Sequence, residues 1–243
     1  GIGLYKSSNN IIADNTVSNN EYGIHLRYSS SNIIANNTVS NNDDGISLEE
    51  SSSNTIESNT ASSNDDGIHL RYSSSNIIVN NNVSSNNYGI YLYKSNNIIE
   101  NNTASNNKYG IFLVYSSNNI IANNIVSSND WYGIHLYESS SNTIANNTVS
   151  NNGDGIHLGS SSNNIIYLNN FINNTNQVYS YSSINIWNST EPITYTYNGT
   201  QFTNYLGNYW SDYKGSDADE DGIGDTPYFC LLYTSPSPRD LST

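Results

Sequence analysis

A short motif, Gly-Ile-x-Leu, recurs at Gly1, Gly23, Gly45, Gly67, Gly89, Gly110, Gly133 and Gly155, with spacings of 22, 22, 22, 22, 21, 23 and 22 residues. A period of this size marks a solenoid, because one unit cannot bury its own apolar face and neighbours must stack to make a core. The short step lacks one residue in the turn at Lys94-Ser95-Asn96, and the long step carries an extra one near Trp131. Both fall in turns, where insertions are tolerated. We number the rungs from the one that opens at Gly1.

Rung two reads Gly23-Ile24-His25-Leu26-Arg27-Tyr28, a Ser turn, Asn32-Ile33-Ile34-Ala35-Asn36-Asn37, then Thr38-Val39-Ser40-Asn41-Asn42. Its three aliphatic pieces are too short for helices and have the composition of strands. Stacking the copies gives an all-β fold, a single-stranded parallel β-helix of three sheets and about eight rungs over residues 1–170. The hand is taken as right by analogy with known solenoids, since left-handed hexapeptide helices turn in roughly 18 residues.

Period-two alternation points Ile24, Leu26, Ile34 and Val39 inward in every rung. Two Asn columns run unbroken through all eight rungs: Asn10, Asn32, Asn54, Asn76, Asn97, Asn119, Asn142, Asn164, and Asn15, Asn37, Asn59, Asn81, Asn102, Asn124, Asn147, Asn169. Amides stacked at about 4.8 Å can bond from rung to rung, so these Asn residues read as scaffold. Asn36, Asn101 and Asn146 also form N-x-S/T sequons.

The outward columns carry the chemistry. Between Ile and Leu of the motif stand Gly3, His25, Ser47, His69, Tyr91, Phe112, His135 and His157, which include all four His residues. His135 and His157, on adjacent rungs, form a candidate Cu²⁺ or Zn²⁺ pair, against the alternative of a stacking column without a ligand role. The next column places Arg27, Glu49 and Arg71 in an expected charge ladder. Beside it, Tyr28, Tyr72 and Tyr115 are candidates for gripping sugar rings or for simply stacking on one another. Asp65, Asp66, His69 and Arg71 are the nearest approach to a catalytic constellation, but much the same residues recur one or two rungs earlier as Asp43, Asp44, His25 and Arg27. The paired Asp turns would also repel one another unless a cation sat between them. Ile33, Ile77, Ile98, Ile120 and Ile165 should face outward as an apolar stripe, which the segment from Phe171 to Tyr213 is expected to cover.

Beyond Asn170 the period stops. Residues 171–213 read as an irregular β-rich cap that blunts the open end. Residues 214–228 hold Asp217-Ala218-Asp219-Glu220-Asp221-Gly222-Ile223-Gly224-Asp225, the first part of an EF-hand-like loop. Its expected Ca²⁺ ligands are Asp217, Asp219 and Asp221, the Ile223 carbonyl and Asp225; Tyr228 stands where the usual bidentate Glu would be. Residues 229–243 contain the single Cys and no Asn, and read as a non-native, poorly packed tail.

A formal net charge of −14 argues against partners that are nucleic acids or anionic membranes. No apolar run is long enough to span a membrane, and one Cys excludes an intrachain disulfide. The chain opens inside a repeat, as expected of a piece of a longer protein.

The rungs, together with Asn208-Tyr209-Trp210-Ser211-Asp212-Tyr213 and Asp217–Tyr228, resemble the NosD-type family of parallel β-helix repeat proteins. That resemblance implies an extracytoplasmic location (periplasm, cell surface or secreted) and a link to copper, although the sequence has no Met and no copper motif beyond its His column. Three function classes follow. The first is a non-catalytic surface or carbohydrate-binding β-helix with a calcium-stabilised loop and a polysaccharide or cell-envelope partner. The second is a polysaccharide lyase, hydrolase or epimerase. The third is an ice or crystal-surface binder using Thr16, Thr38, Thr60, Thr103 and Thr148.

Overall fold

The computed structural model describes residues 1–230 and 233–234. Three sheets of nine, eight and nine strands run the length of the solenoid, and each strand pairs with its copy one rung away. All these pairings are parallel and in register, for example Ile24 with Ile46 and Leu26 with Leu48 in the first sheet, Ile34 with Ile56 in the second, and Val39 with Ala61 in the third. The expected inward residues are fully buried from rung two to rung eight. Because each rung buries only four or five aliphatic side chains, apolar burial alone is thin, and hydrogen bonding between rungs carries much of the specification.

That bonding runs in four files. The Nδ2 of Asn37 donates to Asn59 Oδ1 at 3.0 Å and back to the Ile12 carbonyl at 2.9 Å, while its backbone N–H donates to the same Oδ1 at 2.9 Å. The file from Asn10 behaves alike. The structure adds two files that sequence reading passed over. One is Asn20, Asn42, Asn64, Asn86, Asn107, Asn129, Asn152 and Asn174. The other is a serine file through Ser29, Ser51, Ser73, Ser95, Ser116, Ser139, Ser161 and Ser183, each hydroxyl accepting the N–H of the serine before it. The new Asn file explains the motif glycine. A Cβ on Gly89 would lie 2.5 Å from the Gly110 carbonyl oxygen and 2.9 Å from Asn107 Nδ2, so only glycine lets the amide pack behind the strand.

Stacking continues past the 22-residue period. The strand Asn176–Tyr181 extends the first sheet, and Tyr209–Trp210 closes the third. Trp210 lies flat on Phe171 (ring centroids 4.7 Å apart) and Tyr228 lies flat on Trp210 (4.6 Å). The Asn files end on acceptors supplied from outside the repeat: Asn185 for Asn164, Asn208 for Asn169, and Gln177 for Asn174. A hairpin, Ile193–Tyr197 with Thr200–Asn204, projects beyond this seal.

The C-terminal segment lies across the end of the solenoid, and among the described residues it does not cover the isoleucine stripe. Ile77 is 41% exposed and Ile11, Ile33 and Ile120 are also exposed. Among the described residues, Ile165 is the member of the stripe that is approached, by a bridge from Ile186. The open last rung presents an aromatic ring and unanswered amide donors, and closing it buries Trp187, Trp210 and Tyr228 together. That gain exceeds what a flat aliphatic stripe offers. The expected non-native tail, 229–243, falls largely outside the described residues.

Candidate functional site: the outer face of the first sheet

The residue before each motif glycine also faces outward, beside the residue three positions on. Tyr22, Asp44, Asp66, Tyr88, Tyr109, Tyr132 and Asp154 thus join the column of His25, Ser47, His69, Tyr91, Phe112, His135 and His157. In the middle the two columns merge into one aromatic file. Tyr88 stacks on Tyr91 and Tyr109, Tyr91 on Phe112, and Phe112 on His135, with centroids 4.4–5.4 Å apart. Burial pushes the Tyr91 and Tyr109 hydroxyls up to about 12, so they remain neutral donors.

Each end of this file carries an acid–histidine group. On rung four, His69 Nδ1 lies 3.1 Å from Asp66 Oδ2 and 3.4 Å from Asp44 Oδ2, close contacts whose angles fall short of directed hydrogen bonds. Burial alone would lower the His69 pKa, but the two carboxylates outweigh it and push it up to about 9. Burial raises the Asp66 carboxyl; Asp44, also desolvated, is held below the ordinary Asp range by His69. One donor atom from each of the three lies within 4.8 Å of the others. Two carboxylates and an imidazole suit a divalent ion as well as a proton.

On rung eight, Asp154 Oδ2 meets His157 Nδ1 at 2.8 Å, and its Oδ1 accepts from Asn176 at 2.8 Å. His135 and His157 come together edge to face, 4.8 Å between centroids. Burial, then the neighbouring His157, depresses His135 to about 3, which keeps it neutral. Beside them the one-residue insertion builds an open cleft of about 460 Å³ lined by Trp131, Tyr132, Asp154 and Asn176.

The four residues singled out as a catalytic constellation do not converge. Asp66 and His69 meet, but Asp65 turns to Asn87 at 3.0 Å and Arg71 lies over Tyr72. The charge ladder is also incomplete: Arg27 reaches Glu49 at 3.2 Å, and Arg71 forms no ion pair among the described residues. Tyr28, Tyr72 and Tyr115 pair edge to face with Tyr5, Tyr93 and Tyr137 along the strand exit.

In the C-terminal loop, one oxygen each of Asp217, Asp219 and Asp221 lies within 4.8 Å of the others. Asp217 accepts from the Asp221 and Gly222 N–H groups and Asp221 from Ile223 N–H, a turn that leaves carboxylate lone pairs facing inward. The Asp219 carboxyl titrates above its ordinary range, through desolvation and then repulsion by Asp221, Asp225 and Asp217. Asp225 instead accepts the Ala218 N–H at 2.7 Å, and the Tyr228 hydroxyl donates to Asp212. The donor set of the first three fits a hard cation.

Three parallel sheets wound around an aliphatic core and sealed by an aromatic cap define a right-handed parallel β-helix protein, and residues 1–97 match the family described as right handed beta helix region. Over residues 60–215, well over half its length, the chain matches the family described as periplasmic copper-binding protein (NosD), and it belongs to that family. None of the curated proteins matches it. Similar solved structures include a double mutant of the periplasmic alginate epimerase AlgG, 21% identical with a TM-score of 0.61, covering 74% of this chain and 58% of that one. Another is the Dettilon tailspike protein, 20% identical with a TM-score of 0.55, covering 67% and 38%. A third is the A-module of mannuronan C-5 epimerase AlgE6 from Azotobacter vinelandii, 16% identical with a TM-score of 0.52, covering 74% and 55%. These likenesses concern the fold, and the chain spans at most 58% of each of these three structures.

Proposed function

We propose that this chain is an extracytoplasmic carbohydrate-binding β-helix that holds an extended glycan along the outer face of its first sheet. The observation that carries the reading is the continuous aromatic file of Tyr88, Tyr91, Tyr109, Phe112 and His135 on consecutive rungs. Aromatic faces repeated at one strand spacing suit a repeating apolar–polar ligand such as a sugar chain. The fold shared with an alginate epimerase and a mannuronan C-5 epimerase supports a polysaccharide partner, and the family's description supports a place outside the cytoplasm.

A glycan array read with wild type and with Tyr91→Ala/Tyr109→Ala tests this. The expected result is binding by wild type and at least tenfold weaker binding by the variant, assayed well below the melting temperature of both; equal binding by both overturns the assignment of the face. New reducing ends or unsaturated products in the same samples would move the protein to the polysaccharide-active enzymes, with His157–Asp154 as the first residues to test. Inhibition of ice recrystallisation by wild type would favour the third class.

Two metal readings accompany it. Ca²⁺ at Asp217, Asp219 and Asp221 is supported by their convergence. A divalent transition metal, copper by the family's description, has Asp44, Asp66 and His69 as its best donor set, ahead of His135–His157, where Asp154 already engages one imidazole nitrogen. Copper titration followed by electron paramagnetic resonance, with His69→Ala and His157→Ala, separates the two places.

A further inference from the structure

Seven of the eight rungs turn four corners, and rung five turns three, through a left-handed backbone conformation that L side chains adopt at a cost of roughly 1 kcal/mol. Three corner columns are filled almost throughout by small polar residues, Asn or Asp, which tolerate it, and Ser, as at Ser75, Asn80 and Ser85. The fourth, where the chain leaves the first sheet, reads Lys6, Tyr28, Glu50, Tyr72, Lys94, Tyr115, Glu138 and Ser160, with φ between 46° and 52°. Bulky side chains held at a corner that prefers Asn are placed there for what they present to solvent.

The same edge concentrates positive charge. The chain has seven Lys and Arg residues against a net charge of −14, and Lys6, Arg27, Arg71 and Lys94 all lie along this edge. Arg27 is neutralised by Glu49. Arg71 and Lys94 have no carboxylate within ion-pair distance among the described residues and lie instead against aromatic rings. The Arg71 guanidinium is 5.2 Å from the Tyr72 centroid, and Lys94 Nζ is 5.3–5.9 Å from those of Tyr72, Tyr93 and Tyr115. The Arg71 guanidinium beside it, and then Lys94, draw the Tyr72 hydroxyl below the ordinary range.

We propose that Arg71, Tyr72, Tyr93, Lys94 and Tyr115 form a subsite for an anionic sugar, carboxylated or sulfated, within the glycan-binding face. The inference rests on the carbohydrate-binding reading and names its substrate class. The rings receive the sugar's apolar face, the guanidinium takes the anionic group in a two-point contact, and the ammonium adds a second charge. An acidic protein repels a polyanion everywhere else, so binding is confined to this edge and weakens with added salt.

The test is calorimetric titration of the whole chain with oligogalacturonate, a sulfated oligosaccharide and neutral cello-oligosaccharide. Wild type should prefer one or both anionic probes, and which one it prefers identifies the acid group. Arg71→Ala/Lys94→Ala should weaken anionic binding at least tenfold and leave neutral binding unchanged; Lys94→Arg should retain most of it, whereas Arg71→Lys should lose a good part, because an ammonium cannot make the two-point contact. If the double Ala variant melts early, Lys94→Gln alone, read by its loss of salt dependence, takes its place. Anionic binding unaffected by these changes, or a wild-type preference for the neutral probe, overturns the subsite and leaves the glycan-binding face standing. Failure of all three probes to bind overturns both.

Discussion

A middle rung and the C-terminal cap solve one problem by opposite means. In rung five the core partners of the first sheet are copies: Ile90 meets Ile68 and Ile111, and Leu92 meets Leu70 and Leu113. In the cap every partner is unique, yet each imitates a rung. Asn208 occupies the place of the next ladder asparagine, 39 residues from the Asn169 it accepts from. Along the third sheet the core column grows from Val126 and Val149 to Phe171 and Trp210, so the core closes by widening its last side chains. Repetition fixes register wherever it lasts, and an end must copy the chemistry of a rung while refusing to be followed by one.

The strongest way to break this comparison is Trp210→Ala. Removing the buried ring between Phe171 and Tyr228 should cost about 3–5 kcal/mol, and hydrogen exchange should rise first in residues 176–228; loss of protection spread evenly over all rungs would show that cap and solenoid form a single cooperative unit. Next comes Asn81→Ala, which strips Asn59 and the Ile56 carbonyl of buried partners and should cost about 2–3 kcal/mol in denaturant unfolding. Exposed Asn82, in strand Asn82–Ser84, serves as control, and an equal effect there would remove the ladders' role.

A smaller effect is expected from pH, with opposite signs at the two histidine groups. His69 has a folded pKa raised to about 9, so its stabilisation is complete below its unfolded value of about 6.5 and is lost as pH climbs through 9. His135 is depressed to about 3, so its contribution is present above about 6.5 and is lost as pH falls toward 3. Melting curves of His69→Gln and His135→Gln against wild type should therefore converge at opposite ends of the pH scale, and parallel curves would refute both assignments. Finally, chelation of Ca²⁺ should lower the melting temperature by a few degrees in wild type and by nothing in Asp219→Ala, since a ligand at a hundred times its Kd contributes about 2.7 kcal/mol; an equal shift in both would place the ion elsewhere.

The fold was legible because the 22-residue period states the register directly, and a register fixes sheets, core columns and ladders together. The Asn20–Asn174 and Ser29–Ser183 files were just as visible as columns, but Asn- and Ser-rich turns read by composition look solvated. The site was harder to read for a geometric reason. Strict alternation would send Asp66 to the same side as the buried Ile68. At Gly67 the backbone bends, residues 67 and 68 both turn inward, and Asp66 swings out beside His69. A phase break at a residue with no side chain leaves no trace in hydropathy. The isoleucine stripe stays open because the end of the core, with its aromatic ring and unanswered amides, makes the stronger demand on the C-terminal segment.

The amide files have a direction. Each Asn passes a hydrogen to the acceptor on the following rung, and the last three hand theirs to the cap. The C-terminal end of the stack therefore always presents amide donors, and whatever closes it must offer acceptors at the same spacing, as Asn185, Asn208 and Gln177 do.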